Sequence, residues 1–85
     1  MSIEDIYFEL ENLPLTGEIT AEDGHIKWKY DSFMVYSGED VEEHLEEIYS
    51  EDKELIEETL EGIDVEYTLT VPEYEDTWVY FYIEN

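Results

Sequence analysis

Between residues 39 and 61 twelve carboxylates follow one another at intervals of one to four residues: Glu39, Asp40, Glu42, Glu43, Glu46, Glu47, Glu51, Asp52, Glu54, Glu57, Glu58 and Glu61, relieved only by Lys53. Three kinds of chemistry use carboxylates at such density. A pair can act as acid and base on a glycoside, a cluster of oxygens can hold calcium or magnesium, and a regular row can present the charge of a phosphate backbone to a basic surface. The first needs groups with different roles. The chain has no Cys, no Gly-rich phosphate loop and no G-x-S-x-G, and its two histidines, His25 near a turn and His44 in the acidic segment, share no motif. With 26 acids in 85 residues, close pairs arise by chance and little room is left for a cleft. No catalytic residue is assigned, and a noncatalytic protein is expected. The second needs ligand spacing, and no EF-hand pattern occurs. The acidic turns Glu22-Asp23-Gly24 and Glu73, Glu75, Asp76 read as solvated turns, so no metal and no cofactor is expected.

The third chemistry agrees with the whole composition. Three Lys and no Arg oppose the 26 acids, a formal charge of −23. Direct binding of DNA or RNA is excluded, since neutralising phosphates needs a cationic patch, and an anionic membrane surface would repel the chain. Apolar residues at 42% and aromatics at 15% are too many for a disordered acidic tail. The N-terminus has no basic or apolar leader and no 18-residue apolar run occurs. One folded domain spanning residues 1–85, in the cytoplasm, is expected.

The elements that must position the acids follow from periodicity. Ser2 with Asp5 is a capping signal, and Ile3, Ile6, Tyr7 and Leu10 predict a helix over residues 3–12, ended before Pro14. Alternation over 15–20, the turn at Glu22-Asp23-Gly24, and Ile26, Trp28 and Tyr30 alternating with Lys27 and Lys29 predict a hairpin. On it, Lys27 and Lys29 are expected to pair across the sheet with acids such as Glu18. Residues 33–36 form a third strand or a bulge. Ser37 with Asp40 is a second capping signal, after which Val41, Leu45, Ile48, Leu55 and Thr59 keep a spacing of three or four, or of seven across Asp52. Tyr49, Ile56 and Leu60 widen this stripe, and Gly62 supplies the stop. One long helix, or two short ones broken near Ser50, fits. Ile63, Val65, Tyr67, Leu69 and Val71 alternate as a half-buried strand, residues 72–76 make a turn, and residues 77–83 form a last strand apolar on both faces. The fold class is α+β, an antiparallel sheet of four or five strands in the order α-β-β-(β)-α-β-β, with helices on one face. Either Trp78, Tyr80 and Tyr82 or Val79, Phe81 and Ile83 face those helices.

If helical, residues 39–61 span about 35 Å, close to one turn of B-DNA at about 34 Å. Their charges recur about every 2.9 Å, between the ~3.4 Å of a single strand and the ~1.7 Å of a duplex. Six acid pairs lie at i,i+4 and together cost about 1 to 3 kcal/mol, while solubility needs a net charge of only about 2 to 8. Two explanations compete: imitation of nucleic-acid charge against the cationic groove of a DNA- or RNA-binding protein, and adaptation to high salt. One Ala, no Arg, eight Ile and eight Tyr favour the first. An immunity protein or antitoxin that plugs a basic toxin nuclease is a third reading. The phosphate-mimic residues are Glu39, Glu42, Glu43, Glu46, Glu47, Glu51, Glu54, Glu57, Glu58 and Glu61, with Asp64, Glu66, Glu73, Glu75 and Asp76 as a second patch. Tyr49, Tyr74, Trp78, Tyr80 and Tyr82 would supply aromatic contacts. Monomer and dimer both remain open, because two such surfaces repel unless they meet on the Tyr-rich strand.

In size, charge and the acidic helix over 39–61 the chain resembles small acidic DNA-mimic proteins. That class includes phage-encoded anti-restriction and anti-CRISPR proteins and inhibitors of uracil-DNA glycosylase. Its members are convergent and differ in fold, so no residue role is transferred from them. The resemblance implies inhibition by occupying a DNA-binding site, with a bacterial defence nuclease as target and the host cytoplasm as location if phage-encoded.

Overall fold

Ser2 begins the first helix as a capping box: its hydroxyl accepts from the Asp5 N–H at 3.4 Å while the Asp5 carboxylate accepts from the Ser2 N–H at 3.4 Å. Helix α1 runs Ile3–Glu11 and buries Ile6 and Leu10. The computed structural model describes residues 2–32, 40–75 and 77–85. The strand or bulge expected at 33–36, the capping role of Ser37, Glu39 and Asp76 lie outside the described residues.

Strands β1 (Glu18–Glu22) and β2 (His25–Asp31) form the expected hairpin, turned at Gly24 with φ +76°. Pairing starts at Glu18 rather than at residue 15. Helix α2 is one element, Asp40–Gly62, with no break near Ser50. Strands β3 (Thr68–Leu69) and β4 (Glu73–Glu75) both pair with one edge of β5 (Trp78–Glu84), whose other edge pairs with β2. All five strands are antiparallel neighbours in one sheet. Both helices cover the face made by Ile26 and Trp28 of β2 and Val79, Phe81 and Ile83 of β5. The open alternative for β5 is thereby decided. Residues without polar atoms face the helices, and Trp78, Tyr80 and Tyr82 keep their polar tips on the other side.

Three expectations are corrected. The half-buried strand over 63–71 forms a ladder only at Thr68–Leu69, although Ile63, Val65, Tyr67 and Leu69 are half-buried between exposed neighbours. Leu69 lies opposite Ile83 and Glu73 opposite Tyr80, so Thr70, Val71 and Pro72 face only Phe81 and Tyr82. That is a one-residue bulge. Thr70 maintains it, donating its N–H to the Tyr82 carbonyl at 3.0 Å and accepting the Tyr82 N–H on Oγ1 at 2.8 Å. Pro72 has no N–H to give a ladder, and Val71 is displaced outward to 83% exposure. The second correction follows: residues 73–75, expected in a turn, are β4. Third, Ile56 and Leu60 are the buried centre of the α2 stripe while Leu55 and Thr59 flank it. Helix α2 ends at Gly62 as expected, and the left-handed residue after it is Asp64, φ +52°.

Candidate interaction surfaces

Asp52 belongs to the core. It is 1% exposed, on the helix face that carries Leu45, Ile56 and Leu60. Its Oδ1 accepts the Thr16 N–H at 3.1 Å, and its Oδ2 accepts the Gly17 N–H and the Trp28 indole N–H, each at 2.8 Å. Three donors satisfy a buried charge that would otherwise be costly, and they tie α2 to the segment before β1 and to β2. Gly17 is required by the same joint, because a Cβ there would lie 2.5 Å from the Trp28 ring. The seven-residue gap in the apolar stripe was the sequence signal for this residue.

With Asp52 turned inward, the outward acids of α2 are Glu42, Glu43, Glu46, Glu47, Glu51, Glu54, Glu58 and Glu61, all exposed, and Glu57, half-buried beside Lys53 at 3.7 Å. At about 100° per residue they cover about half the helix circumference. Their mean axial spacing is about 3.5 Å, so the described row has the charge density of one nucleic-acid strand, about 3.4 Å per charge.

Tyrosines border this row. Tyr49 packs edge-on against Trp28 and Phe81, with Lys53 Nζ 5.9 Å from its ring. Tyr74, on the helix side of β4, is 39% exposed. Its phenol is pushed up by burial first and then by Glu46, Tyr49 and Glu42. Tyr67, missed as a candidate, is likewise pushed up by burial and then by Glu61 and Glu57. A groove of about 380 Å³ lined by Tyr49, Lys53, Glu57, Tyr67 and Val71 runs between α2 and the bulge.

The remaining candidates are elsewhere. Trp78, Tyr80 and Tyr82 lie on the open face of the sheet, with Glu73 and Glu75 opposite Tyr80 and Trp78. The Tyr80 hydroxyl donates to Glu73 at 2.9 Å, and that bond first, then burial and nearby acids, raises its pKa from 10.0 to about 12. Asp64 and Glu66 are exposed in the connection after α2, and the Glu66 carbonyl accepts from Asn85 just beyond the far end of β5. The expected second patch is therefore split, its two described halves at opposite ends of a strand about 20 Å long.

Comparison with protein-family models, curated proteins and solved structures found no match to this chain.

The cations are distributed unequally too. Lys27 and Lys29 point out from the open face, and among the described residues Lys53–Glu57 is the lysine–carboxylate ion pair, while His25 Nε2 and Glu22 share a 2.9 Å hydrogen bond. The expected pairing of Lys27 and Lys29 with Glu18 is thus corrected: Lys29 is the register neighbour of Glu18 without an ion pair, and Lys27 lies over aromatic rings. His44, on the flank of the stripe, shares a 3.2 Å hydrogen bond with the Tyr30 hydroxyl. No group of three or more ligating side chains among the described residues could hold a metal ion, and no described helix is long and apolar enough to cross a membrane.

Proposed function

We propose that this chain is a noncatalytic inhibitor that presents the charge of a nucleic-acid strand and occupies the cationic site of a DNA- or RNA-binding protein. A bacterial defence nuclease in the cytoplasm, a CRISPR effector or a restriction enzyme, is the target class. The reading rests on one observation, the outward row of α2, whose axial charge spacing approaches that of one strand. Five of the i,i+4 acid pairs lie on α2 (42/46, 43/47, 47/51, 54/58 and 57/61) and cost about 1 to 2.5 kcal/mol in all. That cost is sensible where partner cations offset it. Tyr49, Tyr67 and Tyr74 beside the row supply contact area that turns steering into residence.

The test is capture from a bacterial lysate on the immobilised chain, followed by elution with duplex DNA. Captured proteins are expected to bind DNA, to be released by duplex, and to be lost steeply between about 50 and 200 mM salt. Capture that duplex cannot displace would reject the mimicry. The salt-adaptation reading requires instead a chain that folds only in molar salt, which unfolding at ordinary ionic strength measures directly.

A further inference from the structure

The open sheet face holds a feature that the acidic helix does not explain. Lys27 Nζ lies 4.8 Å from the Tyr80 ring centroid, 5.8 Å from that of Trp78 and 5.9 Å from that of Tyr82. In a chain with 26 acids, this ammonium rests among three rings and in no carboxylate pair among the described residues. The rings hold one another in place, Trp78 tilted against Tyr80 at 5.6 Å and Tyr80 edge-on to Tyr82 at 6.1 Å, with Tyr80 anchored on Glu73. Beyond Trp78 a groove of about 480 Å³ opens toward Glu18 and Asp31, with Lys29 also on its wall. Ring faces attract cations, and the planar, weakly hydrated guanidinium stacks on them better than an ammonium.

We propose that the open face is a second recognition surface, on which an arginine of the basic partner stacks against Trp78 and Tyr80 in the place now taken by Lys27. It rests on the reading that the partner is basic. The occupant follows from charge: an aromatic centre rimmed by Glu18, Glu73 and Glu75 complements a protein surface that carries guanidinium groups. A second copy, bringing another −23, fits less well. Lys27 acts as an internal stand-in that covers the ring faces until the arginine arrives.

The test titrates a nine-residue arginine peptide, and separately a nine-residue lysine peptide, while backbone amides and the two indole N–H signals are followed by NMR. Trp28, sealed on Asp52, is the internal reference and Trp78 reports the open face. The Trp78 signal is expected to move, with the arginine peptide binding more tightly than the lysine peptide. Trp78→Ala is expected to weaken binding about two- to fivefold. Lys27→Met is expected to strengthen it by more than Lys53→Met, which removes the same charge from α2. Shifts confined to α2, or equal gains for the two Lys variants, would overturn the proposal while leaving helix mimicry intact. Movement of Trp78 without the α2 amides would uphold it and count against the helix. Trp78 signals that follow chain concentration without peptide, with a dimer in sedimentation, would overturn it in favour of a second copy.

Discussion

On the helical side of the molecule nine outward glutamates share one ammonium, Lys53, held 3.7 Å from Glu57. On the sheet side one ammonium, Lys27, stands among three rings with glutamates at the rim, and Lys29 lies on the same face. The first surface gathers like charge at a cost to its own helix, and the second disperses charge among polarisable rings. Between them lies Asp52, which has the residue type of the first surface and the burial of the core. Charge in this chain thus has two separable uses. Asp52 fastens the layers together, and the outward glutamates of α2 form the row proposed to meet a partner.

The largest effect is expected where that division is broken at Asp52. Asp52→Ala leaves the Thr16, Gly17 and Trp28 donors unmet at about 1 to 3 kcal/mol each, comparable with a total stability of about 5 kcal/mol. Loss of the cooperative thermal transition is expected, whereas Glu54→Ala in the outward row retains it. Next in size, Gly17→Ala drives a methyl into the Trp28 ring and is expected to cost about 1 to 3 kcal/mol in urea unfolding. An outward acid should behave in the opposite sense. Glu47→Gln relieves two like-charge pairs, with Glu43 and Glu51, and is expected to stabilise by about 0.4 to 1 kcal/mol, a gain that shrinks as salt is added.

The smallest effect concerns the sheet side and is read by pH. The Tyr80 pKa is raised above its unfolded value, so the neutral phenol is favoured in the fold. Its contribution to stability is complete below pH 10 and is lost as pH rises toward about 12. Glu73→Ala removes the first cause of that shift and is expected to bring the Tyr80 titration, followed by ultraviolet absorbance, back toward 10.0.

How legible these surfaces were depends on the range of the interactions that make them. The half-apolar α2, the capping box at Ser2 and the hairpin at Gly24 are local patterns, and the sequence carries them. Asp52 is different: its donors are 24 to 36 residues away, and periodicity alone reads a carboxylate on an apolar stripe as an interruption. The alternation over 63–71 was visible, but its ladder depends on a shared edge of β5 and on the bulge that Thr70 and Pro72 impose. Of the site residues, the outward glutamates of α2 came together with Tyr49 and Tyr74. Trp78, Tyr80 and Tyr82 did not, because strand alternation places them across the sheet from Val79, Phe81 and Ile83.

The measurement closest to the central claim compares the wild-type chain with a variant carrying Gln at Glu42, Glu43, Glu46, Glu47, Glu54 and Glu58. Both are immobilised in the same bacterial lysate and eluted with duplex DNA. The wild type is expected to capture DNA-binding proteins that duplex releases, and the variant, folded with an unchanged circular dichroism spectrum, to capture none of them. Equal capture by both chains would contradict the mimicry.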